Sequence, residues 1–404
     1  MARKNPLINS SLGEFTDIQR GYAALGYELL LPDEVLRLSR EDLAKVAAGV
    51  TEVLDEVYLR KRDLSEGRAR ELAGDVASDR VLLFVLFDSD RMVVATIAFT
   101  RFQQIIPGSR VSSFEVGRAA KRPGARPRLA TGMIRASFMW AAENLQEIDY
   151  LVGHARVARA ETGRPYNGGI LGHLLDYRLI PTHAVYSNYV GQTVAEPFIW
   201  MCAPVNRKLW REGVQRRAIY LPDDTVSRMF GAMLDESLGA PIVYAEPKND
   251  LTPGTRLEIW EVNGPSSADE SLYVLTAHPM PSRKPLAQVP RITLTSGALV
   301  SAGLSDRIIV EDDIASQASF PHALTLLRRQ GFDLAGWAPS SHRLGRIALV
   351  LTRPGTVPAQ AISVAPADLS ALDHLPAASR FLAHVLSRYP LPTIYTSRGF
   401  EAQD

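Results

Sequence analysis

Two kinds of hydrophobic spacing alternate along this chain. From residue 33 to about 74 the apolar positions recur at helical intervals, with Leu36, Leu43, Val46, Val50, Val53, Leu54 and Val57 on one stripe. Pro32-Asp33-Glu34 supplies a helix start signal. The spacing then gives way to continuous apolar runs at Val81–Phe87 and Met92–Phe99, and the polar Asp88-Ser-Asp-Arg91 between them predicts a hairpin. Phe114–Ala120 reads as the next strand. A helix over about 129–145 carries Ile134, Phe138, Ala141 and Leu145, spaced four, three and four apart. Leu151–Val157 is predicted as a strand, Ile170–Arg178 as a short helix, and His183–Tyr189 and Glu196–Val205 as closing strands. Residues 1–205 therefore read as one α/β unit.

Asn206–Arg217 carries Arg207, Lys208, Arg211, Arg216 and Arg217 and reads as an exposed basic connector, with a boundary near 206–218. Beyond it Pro241–Tyr244, Arg256–Val262 and Leu272–Thr276 are predicted strands, separated by Pro-, Ser- and Gly-rich segments. The stretch from about 279 to 305 is irregular and contains proline. Arg307–Asp312 is a predicted strand and Phe320–Gln330 a helix closed by Gly331; further strands follow at Trp337 and Arg346–Arg353. This order repeats that of residues 150–205 and defines a second unit over 219–355. The tail, 356–404, is Pro- and Ala-rich, with one helix at about 377–388.

Composition narrows the picture. At 404 residues two domains are expected. Charged residues make up 22%, with 45 basic against 44 acidic, so the chain is not a globally basic nucleic-acid binder, although a local patch remains open. The lone cysteine, Cys202, lies in an apolar run and reads as a buried, inert thiol, which leaves no disulfide framework and no cysteine-based metal site. The N-terminal residues lack the apolar core of a signal peptide, and no run approaches the roughly 18 apolar residues of a membrane span. A cytoplasmic protein that needs no metal is the expectation.

Residues 112–157 carry the most chemistry. An apolar strand runs into a loop that opens a helix. From Arg118 to Arg128 there are five cations and no carboxylate. A strand-to-helix junction of this kind presents free N–H groups and a positive dipole end to phosphate; a solvated loop is the plainer alternative. The hairpin at 81–99, the strand Phe114-Glu-Val-Gly-Arg118, the loop Lys121–Ala130, the helix to Leu145 and the strand at 150–157 together resemble the GNAT superfamily of N-acetyltransferases. Glu-Val-Gly-Arg followed by Leu-Ala-Thr-Gly-Met is also similar to the autoinducer-synthase branch. In the second unit Ile-Ile-Val-Glu, Leu-Leu-Arg-Arg-Gln-Gly-Phe and Ala-Gly-Trp-Ala-Pro resemble the end of such a fold. The resemblance implies a tandem protein: two GNAT-like domains, each a mixed, mainly antiparallel twisted sheet flanked by helices.

The family's pyrophosphate loop reads Arg/Gln-x-x-Gly-x-Gly/Ala. Here Arg122 to Gly132 is the nearest match, Ala130 fills the last small position, and Arg128 stands where glycine is usual. The resemblance places Arg118, Arg122, Arg126, Arg128, Ala130, Thr131 and Gly132 at the phosphates, with the arginines pairing through their side chains. It also places the thioester between the strands at 112–120 and 150–157. Glu115 then reads as a base, or as a strand carboxylate paired with Arg118 or another cation. His154 reads as a base or substrate contact, or as a packing histidine. Tyr166 and Tyr177 are candidates for the acid that protonates the leaving thiolate. Asn167-Gly168-Gly169 is a tight turn that either exposes N–H groups to a ligand or simply connects. Glu311-Asp312-Asp313 reads as a solvated turn.

The reading this favours is an N-acyltransferase that forms an amide from acyl-CoA and a small amine, as in specialised metabolism. An aminoacyl-tRNA donor is a second reading, with tRNA bound by the basic segments 118–128 and 206–217. A non-catalytic ligand-binding module is a third.

Overall fold

The computed structural model describes residues 12–57, 65–101, 113–126, 129–145, 148–157, 179–190, 194–204, 207–247, 257–263, 271–276, 287–289, 307–340, 345–353, 363–364, 367 and 369–389. The first half contains α1 (Leu12–Ala24), β1 (Glu28–Leu30), α2 (Pro32–Leu36), α3 (Arg40–Val57) and α4 (Ser65–Ala77). These are followed by β2 (Val81–Phe87), β3 (Val93–Arg101), β4 (Ser113–Lys121), α5 (Leu129–Asn144), β5 (Tyr150–Arg156), β6 (Ile180–Val190) and β7 (Val194–Pro204).

The continuous apolar run of β2 is explained by cover on both faces. Val81, Leu83, Val85 and Phe87 pack with Leu43, Val46, Val50 and Val53 of α3 and with Leu72 and Val76 of α4. Leu82, Phe84 and Leu86 belong to the other core, with Ile134 and Phe138 of α5 and Tyr22 of α1. All seven residues of β2 are buried. A strand covered on both sides loses the apolar–polar alternation of a half-solvated one.

The predicted helical stripe from 33 onward is not one helix. Ser39 Oγ accepts from the Asp42 N–H at 3.1 Å and starts α3 afresh. Leu36, on the far side of that break, leaves the stripe and is exposed.

Residues 206–217 also depart from expectation. They contain a helix, α6 (Arg207–Gln215), whose Trp210 and Val214 are buried. Trp210 packs between Tyr150 of β5, at 6.4 Å between ring centroids, and Trp337 of the second half, at 5.7 Å. Lys208, Arg211 and Arg216 are exposed, whereas the apolar anchors are buried.

The second half contains β8 (Ile219–Pro222), α7 (Thr225–Leu238), β9 (Ile242–Ala245), β10 (Leu257–Asn263), β11 (Ser271–Thr276), β12 (Ala287–Val289) and β13 (Arg307–Val310). Beyond these come α8 (Asp312–Ala315), α9 (Phe320–Arg329), β14 (Asp333–Pro339), β15 (Ile347–Thr352), β16 (Ser363–Val364) and α10 (Pro376–Ser387). Glu311 is not part of a solvated turn: it is buried and accepts from Ser340 Oγ at 2.7 Å. Asp312 lies between Arg346, at 3.6 Å, and Arg217, at 3.8 Å.

Among the described residues one mixed, mainly antiparallel sheet runs through both halves in the order β1-β2-β3-β4-β5-β7-β6-β14-β15-β13-β11-β10-β12, with β16 alongside β7. β8 and β9 form a separate parallel pair. The same neighbourhood occurs twice. β4 runs parallel to β5, which is antiparallel to β7, and β7 to β6. β11 runs parallel to β13, which is antiparallel to β15, and β15 to β14. The halves meet where β6 pairs antiparallel with β14 at His183 and Gly336. Trp337, fully buried, donates its indole N–H to the Pro181 carbonyl at 3.1 Å across that seam. No helix among the described residues is long and apolar enough to cross a membrane.

Two predictions follow from this packing. An ideal Cβ on Gly213 of α6 would lie 2.6 Å from the Gly345 Cα, with no flexible side chain to give way. Gly213→Ala is expected to cost about 1–3 kcal/mol, read from the urea midpoint at unchanged m-value. Tyr186 of β6 packs edge-on against Tyr389, with ring centroids 4.9 Å apart. Burial first, and Tyr389 second, push its phenol up to about 12. An unfolded phenol titrates near ~10, so this contribution to stability is whole below that pH and is lost as pH rises to about 12. Denaturation curves from pH 9 upward should show the fall, and Tyr186→Phe should make it shallower.

Candidate functional site

The first feature of the site is the place where two parallel strands stop pairing. β4 and β5 are in register from Ser113↔Tyr150 through Glu115↔Val152 to Val116↔Gly153, and no pair follows. Immediately beyond, β4 carries an extra residue against β3: Ala98 faces Gly117 and Thr96 faces Ala120. Arg118 sits in this bulge at φ +52°. A non-glycine residue held there costs on the order of 1–3 kcal/mol, a conformation that clusters at functional sites. A bulge also bends its strand, here at the position where β5 is released.

Glu115 and His154 meet at this point. Side chains two residues apart on a strand share a face, so His154 lies diagonally past the Glu115↔Val152 pair. Glu115 Oε1 is 3.1 Å from His154 Nδ1, and the two side chains are 24% and 29% exposed. The partner the structure places beside Glu115 is thus His154. The approach has ion-pair length, yet the ring nitrogen is not aligned for a hydrogen bond. Two rings of β7 hold the imidazole instead: Phe198 at 5.4 Å and Trp200 at 5.0 Å between centroids. Phe198 and Trp200 were not singled out by the sequence. Their alternation in Phe198-Ile-Trp200 marks a shared face, but only the β5–β7 register, His154↔Trp200, reveals which face it is.

The phosphate-loop residues are divided among several roles. Arg122 is taken up by the scaffold: Nε donates to the Val93 carbonyl at 2.7 Å, and the guanidinium pairs with Glu56 at 3.0 Å and Glu52 at 2.6 Å on α3. It therefore does not fit the phosphate role assigned from the motif. Lys121 Nζ donates to the Ala125 carbonyl at 2.7 Å and closes the loop on itself. Gly132 serves packing, because a Cβ there would run into the Tyr22 hydroxyl, which donates to the Leu129 carbonyl at 2.9 Å. Arg126 is exposed. Ala130 and Thr131 lie in the first turn of α5, which carries no acidic residue. The α5 N-terminus with Arg126 fits an anion. Arg128, Tyr166, Asn167-Gly168-Gly169 and Tyr177 lie outside the described residues, as does the predicted helix 170–178. Cys202 is buried, and burial holds its thiol far above the ordinary range. Among the described residues no group of three or more His, Cys, Asp or Glu is placed to hold a metal.

Neither protein-family models nor curated proteins match the chain. Solved structures do. A ribosomal-protein-S5-alanine acetyltransferase from Vibrio fischeri matches at 12% identity and TM-score 0.33, over 45% of this chain and 94% of that one. A GNAT-family acetyltransferase from Streptococcus pneumoniae matches at 14% and 0.32, over 44% and 99%. Spermidine N-acetyltransferase from Vibrio cholerae, in complex with CoA and spermine, matches at 10% and 0.31, over 45% and 96%. These three similar solved structures are acetyltransferases.

The structural role of Arg122 is testable. Arg122→Ala leaves the Val93 carbonyl and Glu56 without their donor and should cost about 1–3 kcal/mol. Thermal unfolding is expected to shift down accordingly, while any stabilisation by added coenzyme A keeps its wild-type size.

Proposed function

We propose that the chain is an N-acyltransferase of GNAT architecture, with its working site in the first half at the β4–β5 opening. The observation that carries this reading is Glu115 against His154 at 3.1 Å, at the end of β4–β5 pairing. Acyl transfer to an amine needs a base for the amine proton, donors for the developing oxyanion and an acid for the leaving group. In this reading Glu115 takes the proton at a carboxylate oxygen and His154 steadies the charge beside it. The acyl carbonyl would lie where β4–β5 pairing stops, beyond Val116↔Gly153. Tyr166 and Tyr177 stay the candidates for the acid.

Acyl-CoA would supply the activated thioester, and the α5 N-terminus and Arg126 are the groups that would hold its phosphates. The repeated strand neighbourhood favours a tandem origin, with the second half, about 219–355, as a covering or partner-binding unit. An aminoacyl-tRNA donor draws its support from α6, where Lys208 and Arg211 are exposed and Arg216 follows on the same outer surface. A small amine is the proposed acceptor in either case.

Coenzyme A at a hundredfold excess over Kd should stabilise the protein by about 2.7 kcal/mol. Glu115→Gln should lower kcat by about 10²–10⁴-fold with the melting temperature unchanged. A protein that is not stabilised by coenzyme A but retains aminoacyl-tRNA at low salt overturns the acyl-CoA reading. Full activity in Glu115→Gln removes Glu115 from the mechanism.

A further inference from the structure

The imidazole of His154 belongs to a row of rings that crosses the sheet. Strand register places His154 opposite Trp200, Trp200 opposite His183, and His183 opposite Gly336. Trp200 and His183 are stacked, with centroids 5.6 Å apart and planes 6° apart. On the other side Trp200 meets His154 at 5.0 Å and 42°. The indole therefore has a histidine ring near each side, which does not suit it as a free platform for a ligand. His183 is buried, and Thr182 Oγ1 lies 3.0 Å from its Nδ1. Its backbone is pressed by β14 so closely that a Cβ on Gly336, at φ +152°, would collide with the Thr182 carbonyl and with His183 itself.

We infer that Trp200 is a positioning residue that fixes the plane of His154 beside Glu115, and that the second half of the chain sets Trp200 through His183. The warrant is the misaligned contact already described. Glu115 lies 3.1 Å from the His154 nitrogen but is out of line for a hydrogen bond, so the carboxylate does not orient the ring. The aromatic neighbours do. A ring turned in this way leaves a lone pair of Glu115 Oε1 free to receive the proton of an incoming amine. This rests on the reading of Glu115 as the base; the row itself does not.

The test uses the full-length protein without ligand. Histidine Cε1–H resonances are recorded by proton–carbon correlation, with His154 and His183 assigned from His154→Gln and His183→Gln. His183→Leu removes no atom in the described contact with His154, yet it should move the His154 resonance, whereas His183→Phe, which keeps a stacking ring, should leave it near its wild-type position. His183→Gln gives the same reading if His183→Leu does not fold. Trp200→Leu should lower kcat for acyl transfer by about 10- to 100-fold with KM within about twofold, and Trp200→Phe should recover most of the loss. An unmoved His154 resonance in folded His183→Leu or His183→Gln overturns the inference. If the wild-type protein transfers no acyl group, the functional reading fails, and the spectra still decide the positioning role.

Discussion

At the seam between β6 and β14 the glycine backbone of one half rests directly on a histidine of the other, with no room for a methyl group between them. Trp337 locks the same seam by giving its indole N–H to Pro181. A backbone pairing at this point joins two sheet edges that would otherwise be open to other chains. Everything downstream follows from this closure. The buried core is continuous across the two halves, from Tyr22 to Tyr389, and the ring row behind His154 has a fixed far end.

Much of the fold was legible because packing writes itself into spacing. The 81–99 hairpin, the α5 stripe and the Phe320–Arg329 helix follow from two-sided burial or from one apolar face. What escaped was decided by local chemistry or distant contacts. The helix α7 was missed although both of its ends are marked: Asp224 accepts from the Ser227 N–H, and Gly239 turns left-handed after Leu238. Between them Phe230, Met233 and Leu234 are buried. α6 reads as exposed connector because its basic residues outnumber its anchors, yet Trp210 and Val214 decide where it lies. Glu311 read as solvated since nothing near it in sequence shows that Ser340 will cover it.

The site divides in the same way. Glu115 and His154 stood out as polar residues in apolar strands, and their meeting depends only on adjacent parallel strands. The aromatic residues behind them have no local signature; Phe198 and Trp200 look like any buried strand until register puts them beside an imidazole. The phosphate loop shows the opposite failure. Arg122 matches the motif by type and position, but two glutamates on α3, about seventy residues earlier, claim its charge. Arg126 and the first turn of α5 remain the proposed anion site.

The wedging of α6 has a consequence for how ligands reach the carboxylate. Trp210 is gripped by an aromatic ring from each half, and the backbones of Gly213 and Gly345 touch without side chains between them. A joint packed this closely resists opening between α6 and Gly345, so in the proposed reading a ligand would reach Glu115 through the first half's own opening, where β4–β5 pairing ends.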